Sequence, residues 1–205
     1  MNILVTGTPG TGKTTLCTRL SKITLKPFLE CSKIVQKHKF YTKKDLEFDS
    51  LVTNEDDLLD YLEEQLLKNS AVGCIVESHS AASFPLRWFQ LVVCLRANTD
   101  TLYDRLLERG YKANKVQENV ESEIMGICLE DVQEFDQVVE LHSNSEDDMA
   151  RNCDFISREI AMTDQFASES SSHLKESESI SCSDQCSEGN ASHYSDGCES
   201  HSDVS

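Results

Sequence analysis

The segment Gly7-Thr8-Pro9-Gly10-Thr11-Gly12-Lys13-Thr14 restricts the possible folds of this chain more than any other. It satisfies GxxxxGK[ST], in which glycines let backbone N–H groups converge on an anion just ahead of a helix that begins with Lys and Thr. Such a match arises by chance in roughly one per cent of chains this long, so the flanking sequence has to decide. Residues 2–6 form an apolar, β-rich run, and residues 13–23 carry Leu16 and Leu20 at helical spacing. Strand, loop and helix therefore follow in the order a phosphate cradle requires; a Gly-rich turn with no ligand is the alternative. In the cradle reading Gly10, Thr11, Gly12, Lys13, Thr14 and Thr15 hold a nucleoside triphosphate. Lys13 reaches the β and γ phosphates, and the Thr14 hydroxyl ligates Mg²⁺.

Four more apolar runs, at residues 27–30, 72–77, 90–95 and 137–141, read as buried strands. Segments of helical period lie between and after them, at residues 54–68, 99–109, 114–135 and 146–160. This alternation predicts an α/β fold with a five-stranded parallel sheet between two helical layers. Asn54 ahead of Glu55, Asp56 and Asp57 reads as a helix N-cap, and Arg109-Gly110 as a C-terminal stop.

A phosphate cradle needs an acid at the end of a neighbouring strand to hold the metal through its water shell. Glu77 closes the run AVGCIVE, and His79 falls on the same side if the chain stays extended. The same residues also suit a strand that simply ends at solvent. Arg105 and Arg109 stand four apart on one helix face, which suits a phosphoryl group in transfer; an exposed face paired with Asp104 and Glu108 is the other reading.

The formal net charge of −17 argues against unaided binding to nucleic acid and favours a basic partner. Nine scattered cysteines, with no leader ahead of MNILVTG, fit thiols in a reducing compartment. No apolar run reaches membrane-spanning length, so no membrane role is expected. Residues 163–205 are rich in Ser and acids, have Lys175 as their one base, and hold few large apolar side chains, which predicts a disordered tail after a domain of residues 1–162. Cys182, Cys186, His193, Cys198 and His201 in that tail match no common zinc-finger spacing. Ser181 before Asp184 and Ser200 before Asp203 suit acidophilic kinases.

Over residues 1–160 the chain resembles the adenylate kinase isoenzyme 6 family, also called coilin-interacting nuclear ATPases. The resemblance rests on GTPGTGKTTL, the pair Glu77 and His79, the element Phe84-Pro85-Leu86-Arg87-Trp88-Phe89, and LYDRLLERGY at residues 102–111. It implies a P-loop NTPase fold with a small acceptor region and a short lid, and catalytic roles for Lys13, Glu77, His79, Arg105 and Arg109. It further implies ATP, ADP and AMP as ligands with Mg²⁺ held by Thr14 and, through water, Glu77, and adenylate kinase and ATPase activity. A role in maturing the small ribosomal subunit beside a basic ribosomal protein, in nucleus and cytoplasm, completes the implied picture. Arg87 resembles the arginine that adenylate kinases set on the acceptor phosphate, and residues 142–145 follow the last strand where the family wraps adenine. The chain departs from the pattern in three places. Glu77 stands where the family has Asp, Ser80-Ala81-Ala82 where it has Gly, a small residue and Asp, and Ser32, Lys33 and Gln36 where the acceptor helix usually brings Gly, Asp and Arg. The longer Glu77 is expected to displace the metal's water shell, so that Glu77→Asp would speed turnover, and the absent Arg favours hydrolysis over transfer to AMP.

Overall fold

The computed structural model describes residues 1–45 and 50–178. Met1–Phe166 form one compact unit. In this unit five short strands, β1 (Ile3–Thr6), β2 (Phe28–Glu30), β5 (Ile75–Glu77), β6 (Leu91–Arg96) and β7 (Val138–His142), make one all-parallel sheet in the order β2-β5-β1-β6-β7. The expected five-stranded parallel sheet is present. Parallel neighbours need crossovers, and these are α1 (Lys13–Thr24), α2 (Cys31–His38), α3 (Glu55–Lys68), α4 (Thr99–Glu108), α5 (Ala113–Met125) and α6 (Ile127–Glu130). β1 lies between β5 and β6, whose chains pass to opposite sides of it, so the crevice where ligands bind in such sheets opens at its carboxyl end.

Strand side chains alternate strictly between two cores. Leu4, Val76, Val92 and Cys94 face a cluster with Ile34, Leu58, Leu62, Phe84 and Phe89. Ile3, Val5, Ile75, Leu91, Val93 and Leu95 face Leu16, Cys17 and Leu20 of α1 and Met149, Cys153, Ile156 and Ile160 of α7 (Glu146–Glu178). Spacings of four, three and four along α7 put those last residues on one stripe. Each fully buried Leu or Ile contributes about 1.5–3 kcal/mol relative to exposure. The six cysteines among the described residues are all buried as free thiols.

Three elements differ from the sequence expectation. A two-stranded antiparallel hairpin, β3 (Tyr41–Asp45) and β4 (Ser50–Thr53), was not among the expected strands; it follows α2, which carries Ser32, Lys33 and Gln36 where the resemblance put the acceptor helix. The helix expected over residues 114–135 breaks at Gly126, whose φ of 72° is the left-handed geometry that ends α5. Asn54 occupies the N-cap of α3, but its amide donates to the Asp57 carboxylate at 2.6 Å and makes no cap bond to the backbone.

The boundary expected after residue 162 also moves. α7 continues to Glu178, and Asp164 accepts from the Met1 amine at 3.1 Å and pairs with Lys26 Nζ at 2.9 Å. Both cationic partners are nearly buried, so Asp164 compensates charges that water does not reach. The disorder expected of residues 179–205, and the metal and phosphorylation readings placed there, lie outside the described residues. A chain ending at residue 166 is expected to keep its thermal midpoint, while one ending at 162, or Asp164→Ala, loses about 1–2 kcal/mol because Asp164 itself is partly exposed. Burial pushes the Asp164 pKa up, but the hydrogen bonds and charges of Lys26 and the Met1 amine together hold it below its ordinary value, so its contribution is present above pH 3.8 and lost as pH falls through the folded value. Thermal melts of the three chains at pH 7 and pH 3 test both statements.

Candidate functional site

The loop between β1 and α1 bends through left-handed glycines. A Cβ at Gly7 would lie 2.2 Å from the Leu95 carbonyl oxygen, and one at Gly10 would lie 2.6 Å from Leu102 Cδ1. Only glycine allows the loop to lie this close to β6 and α4. Inside the loop Thr11 donates to the Thr8 carbonyl through both its amide, at 3.2 Å, and its hydroxyl, at 2.9 Å. The α1 N-terminus then points into a cavity of about 230 Å³ lined by Gly10, Gly12, Lys13, Thr14, Ser32, Glu77, His79, Arg109 and Tyr111, among others.

Lys13 is buried. Its ammonium group folds back onto the carbonyls of Gly7, at 2.6 Å, and Thr8, at 3.1 Å. Burial pushes its pKa down, and the Glu77 charge opposes that fall. Glu77 sits at the end of β5 in register with Val5, and its Oε1 accepts from the Thr14 hydroxyl at 2.8 Å. The Glu77 side chain thus reaches the residue expected to ligate the metal. Burial raises the Glu77 pKa despite the Thr14 hydrogen bond and the Lys13 charge. Its other oxygen, Oε2, is buried with no hydrogen-bond partner.

An orphaned carboxylate oxygen beside a threonine hydroxyl is a hard-oxygen donor set that fits Mg²⁺. Among the described residues no group of three or more His, Cys, Asp or Glu gathers to form a cage. An ion here would depend on ligand phosphates and water for the rest of its shell. His79 lines the same cavity together with Ser78, at a bend after β5, and its pKa is lowered by desolvation and by the Lys13 charge.

Arg109 lines the cavity at the C-cap of α4, and Arg105 turns toward the loop. Arg105 donates to the Gly10 carbonyl at 3.5 Å and to the Asn144 carbonyl at 3.3 Å. The segment between α4 and α5 is only a few residues long and carries Tyr111, so the lid is short as expected. Residues 142–145 reach the loop through the Ser143 hydroxyl, which donates to the Thr11 carbonyl.

Arg87 is not brought to this site. It lines a separate hollow with Met1, Asn2, Gly73 and Gln90, residues that precede β1, β5 and β6, and so it lies at the opposite end of the sheet from the cradle. There it is exposed and 4.0 Å from Glu63. The Phe84-Pro85 segment belongs to a crossover that begins at the carboxyl end of β5 and has returned to the start of β6 by residue 90, which carries Arg87 away from the phosphates. Thr15 is exposed on the first turn of α1 behind Thr14.

Sequence reasoning missed Glu123 and Arg96. Glu123 is buried on α5, accepts from the Thr8 hydroxyl, and pairs with Arg96 Nε at 2.6 Å. Its one local signal is a carboxylate falling on the apolar stripe begun by Val116 and Val120.

The AAA domain family matches residues 3–126. A Caenorhabditis elegans adenylate kinase isoenzyme 6 homolog is 42% identical over 158 residues, which span 76% of this chain and 86% of that protein. A Saccharomyces cerevisiae protein of the same designation is 38% identical, covering 78% of this chain and 80% of its own length. Among solved structures, a shikimate kinase from Bacteroides thetaiotaomicron aligns with TM-score 0.50 at 14% identity, over 78% of this chain and 98% of that one. A sugar kinase from Janibacter sp. aligns with TM-score 0.51 at 16% identity, over 80% and 96%. At such identities these two structures speak for the fold alone.

Glu77 carries a stability cost that the site geometry explains. Burial raises its pKa, so the folded state favours the neutral form, and the contribution of Glu77 to metal-free stability is fully present below pH 4.5 and lost as pH rises through the folded value. Glu77→Gln is expected to raise metal-free stability at pH 7, with the gain vanishing toward pH 4.5, and to depress Mg²⁺-dependent nucleotide affinity. Glu77→Asp is expected to weaken that affinity as well, because the shorter side chain withdraws from Thr14. Thermal melts with and without Mg²⁺ and ATP check all three outcomes.

Proposed function

Because the chain belongs to the adenylate kinase isoenzyme 6 family of P-loop kinases, we propose that it binds Mg-ATP in this cavity and transfers the γ phosphoryl to AMP or to water. The observation that carries the reading is the Thr14–Glu77 hydrogen bond, with the second Glu77 oxygen buried and unpartnered. When bound, Mg²⁺ supplies Lewis-acid stabilisation of the phosphate oxygens. The chain's own groups do the rest. Lys13 leaves two loop carbonyls for the phosphates, where it regains full charge stabilisation, and the loop amides hold the remaining oxygens. Arg109, with Arg105 behind it, neutralises charge on the phosphoryl group in flight. His79, whose lowered pKa keeps it neutral at pH 7, takes the proton of the attacking group.

The acceptor side favours water over AMP. Ser32 is the α2 residue lining the cavity, Gln36 stands where the family brings Arg, and Arg87 lies at the far end of the sheet. The second reading, a nucleotide-gated assembly factor with weak adenylate kinase activity, draws on the same facts. In both readings the partner is a basic small-subunit ribosomal protein, and the setting is maturation of that subunit in nucleus and cytoplasm. The net charge of −17 supports a basic protein over direct nucleic acid binding and makes the encounter salt-sensitive.

ADP formation from Mg-ATP, measured with and without AMP, tests the reaction. We expect turnover without AMP and at most a few-fold rise with it; strong AMP dependence restores a plain adenylate kinase, and no turnover in either arm refutes catalysis. Lys13→Met is expected to lower turnover by about 10²-fold or more while keeping or raising the thermal midpoint, since it removes a desolvated charge that is useful only with phosphate bound. A lost midpoint with retained turnover would contradict the assignment. Pull-down against basic ribosomal proteins at two salt concentrations tests the partner.

A further inference from the structure

Both helices that flank the short lid are fastened to the phosphate loop at different residues. On the α4 side, Leu102 and Leu106 pack beneath Gly10, and Arg105 donates to its carbonyl at 3.5 Å. On the α5 side, the Glu123 carboxylate accepts from the Thr8 hydroxyl on one oxygen. Its other oxygen accepts from Arg96 Nε at 2.6 Å and from the Ala97 amide at 3.1 Å. Arg96 also donates to the Glu123 carbonyl at 2.7 Å, so the end of α5 is locked to the end of β6 through side chain and backbone together. The Thr8 carbonyl in turn receives Lys13 at 3.1 Å and the Thr11 hydroxyl at 2.9 Å.

Glu123 is 3% exposed and touches none of the cavity. A carboxylate so placed is costly unless its position matters, since a buried apolar side chain would pack against Val116 and Val120 with no desolvation. Between its two anchored feet the chain carries Arg109 and Tyr111, both of which line the cavity. Thr8 and Gly10 thus each contact one of the two helices that carry the lid.

We propose that Glu123, through its hydrogen bond to Thr8, is a positioning residue that couples the state of the phosphate loop to closure of the lid and so sets Arg109 over the transferring phosphoryl group. The inference rests on the functional reading above. When Lys13 releases the Thr8 carbonyl for the phosphates, the Glu123 anchor is the contact that carries the resulting shift of Thr8 to α5. Residues 115 positions apart are joined by one hydrogen bond, and the lid needs no direct contact with Lys13.

The test uses the full chain with Thr8→Val, which keeps the shape of Thr8 and removes its hydroxyl, Thr8→Ser, which restores it, and Glu123→Gln. Trypsin cleavage after Arg109 and Lys112 is followed with Mg²⁺ and a non-hydrolysable ATP analogue, with analogue binding measured by equilibrium dialysis. The analogue is expected to protect wild type and Thr8→Ser by about tenfold, and to leave Thr8→Val and Glu123→Gln cleaved near the nucleotide-free rate. In turnover, Thr8→Val is expected to lower kcat about tenfold with analogue affinity within about threefold, and to have no further effect in an Arg109→Ala background. Equal protection of Thr8→Val and wild type, no protection of wild type despite binding, or additive losses with Arg109→Ala would each overturn the coupling. Absence of analogue binding by wild type would defeat the functional reading and the inference together, whereas binding and protection without turnover would defeat only the catalytic reading. A merely structural role for Glu123 would lower the thermal midpoint of Thr8→Val without changing its lid protection, and that result also overturns the proposal.

Discussion

A carbonyl of β6 occupies the space where a side chain on residue 7 would begin, and a leucine of α4 does the same for residue 10. This close approach is the constraint from which the rest of the site follows. The loop can wrap into an anion-binding curve only because its glycines let the strand beside it and the helix beyond it come within contact. β1 is thereby held at the centre of the sheet, with β5 and β6 on either side, and the acid at the end of β5 arrives at the start of α1. Parallel pairing places Val5 opposite Glu77, so a single register fixes the distance between cradle and acid.

That arrangement leaves the site with two opposed, desolvated charges. Burial lowers the Lys13 pKa and raises that of Glu77, and each charge partly offsets the shift of the other. Lys13 satisfies itself on loop carbonyls, whereas one oxygen of Glu77 finds no partner. In the proposed function both departures would be relieved by the same event, the arrival of phosphate oxygens and a hard cation. The metal-free fold is accordingly less stable than its packing would allow, as expected where binding groups are held ready in place.

The acceptor side is built differently. α2 and the β3–β4 hairpin frame it, yet the charged groups reaching the cavity come from the cradle, from the end of β5 and from α4. Arg87, which resembles an acceptor ligand by its Phe-Pro neighbours, is spent at the amino end of the sheet beside Glu63. A short motif can thus persist in sequence while the crossover that contains it delivers its charge elsewhere.

The amino-acid sequence alone determined the cradle, because its eight residues act through local geometry: glycine torsions, a helix start, and a lysine and threonine at fixed steps. It also determined the sheet and its two cores, since five apolar runs separated by amphipathic segments leave few other arrangements. It did not reveal that α5 stops at Gly126, where one left-handed residue outweighs a continuing helical pattern, nor that Asp164 belongs to the folded unit, where its partners are Lys26 and the chain start. Tertiary structure alone decided the burial of Lys13, the fit of Glu77 to Thr14, the exile of Arg87 and the union of Thr8 with Glu123. Each of these depends on which strand ends meet and how far apart they lie, and contacts between residues tens of positions apart leave no trace in local spacing or composition.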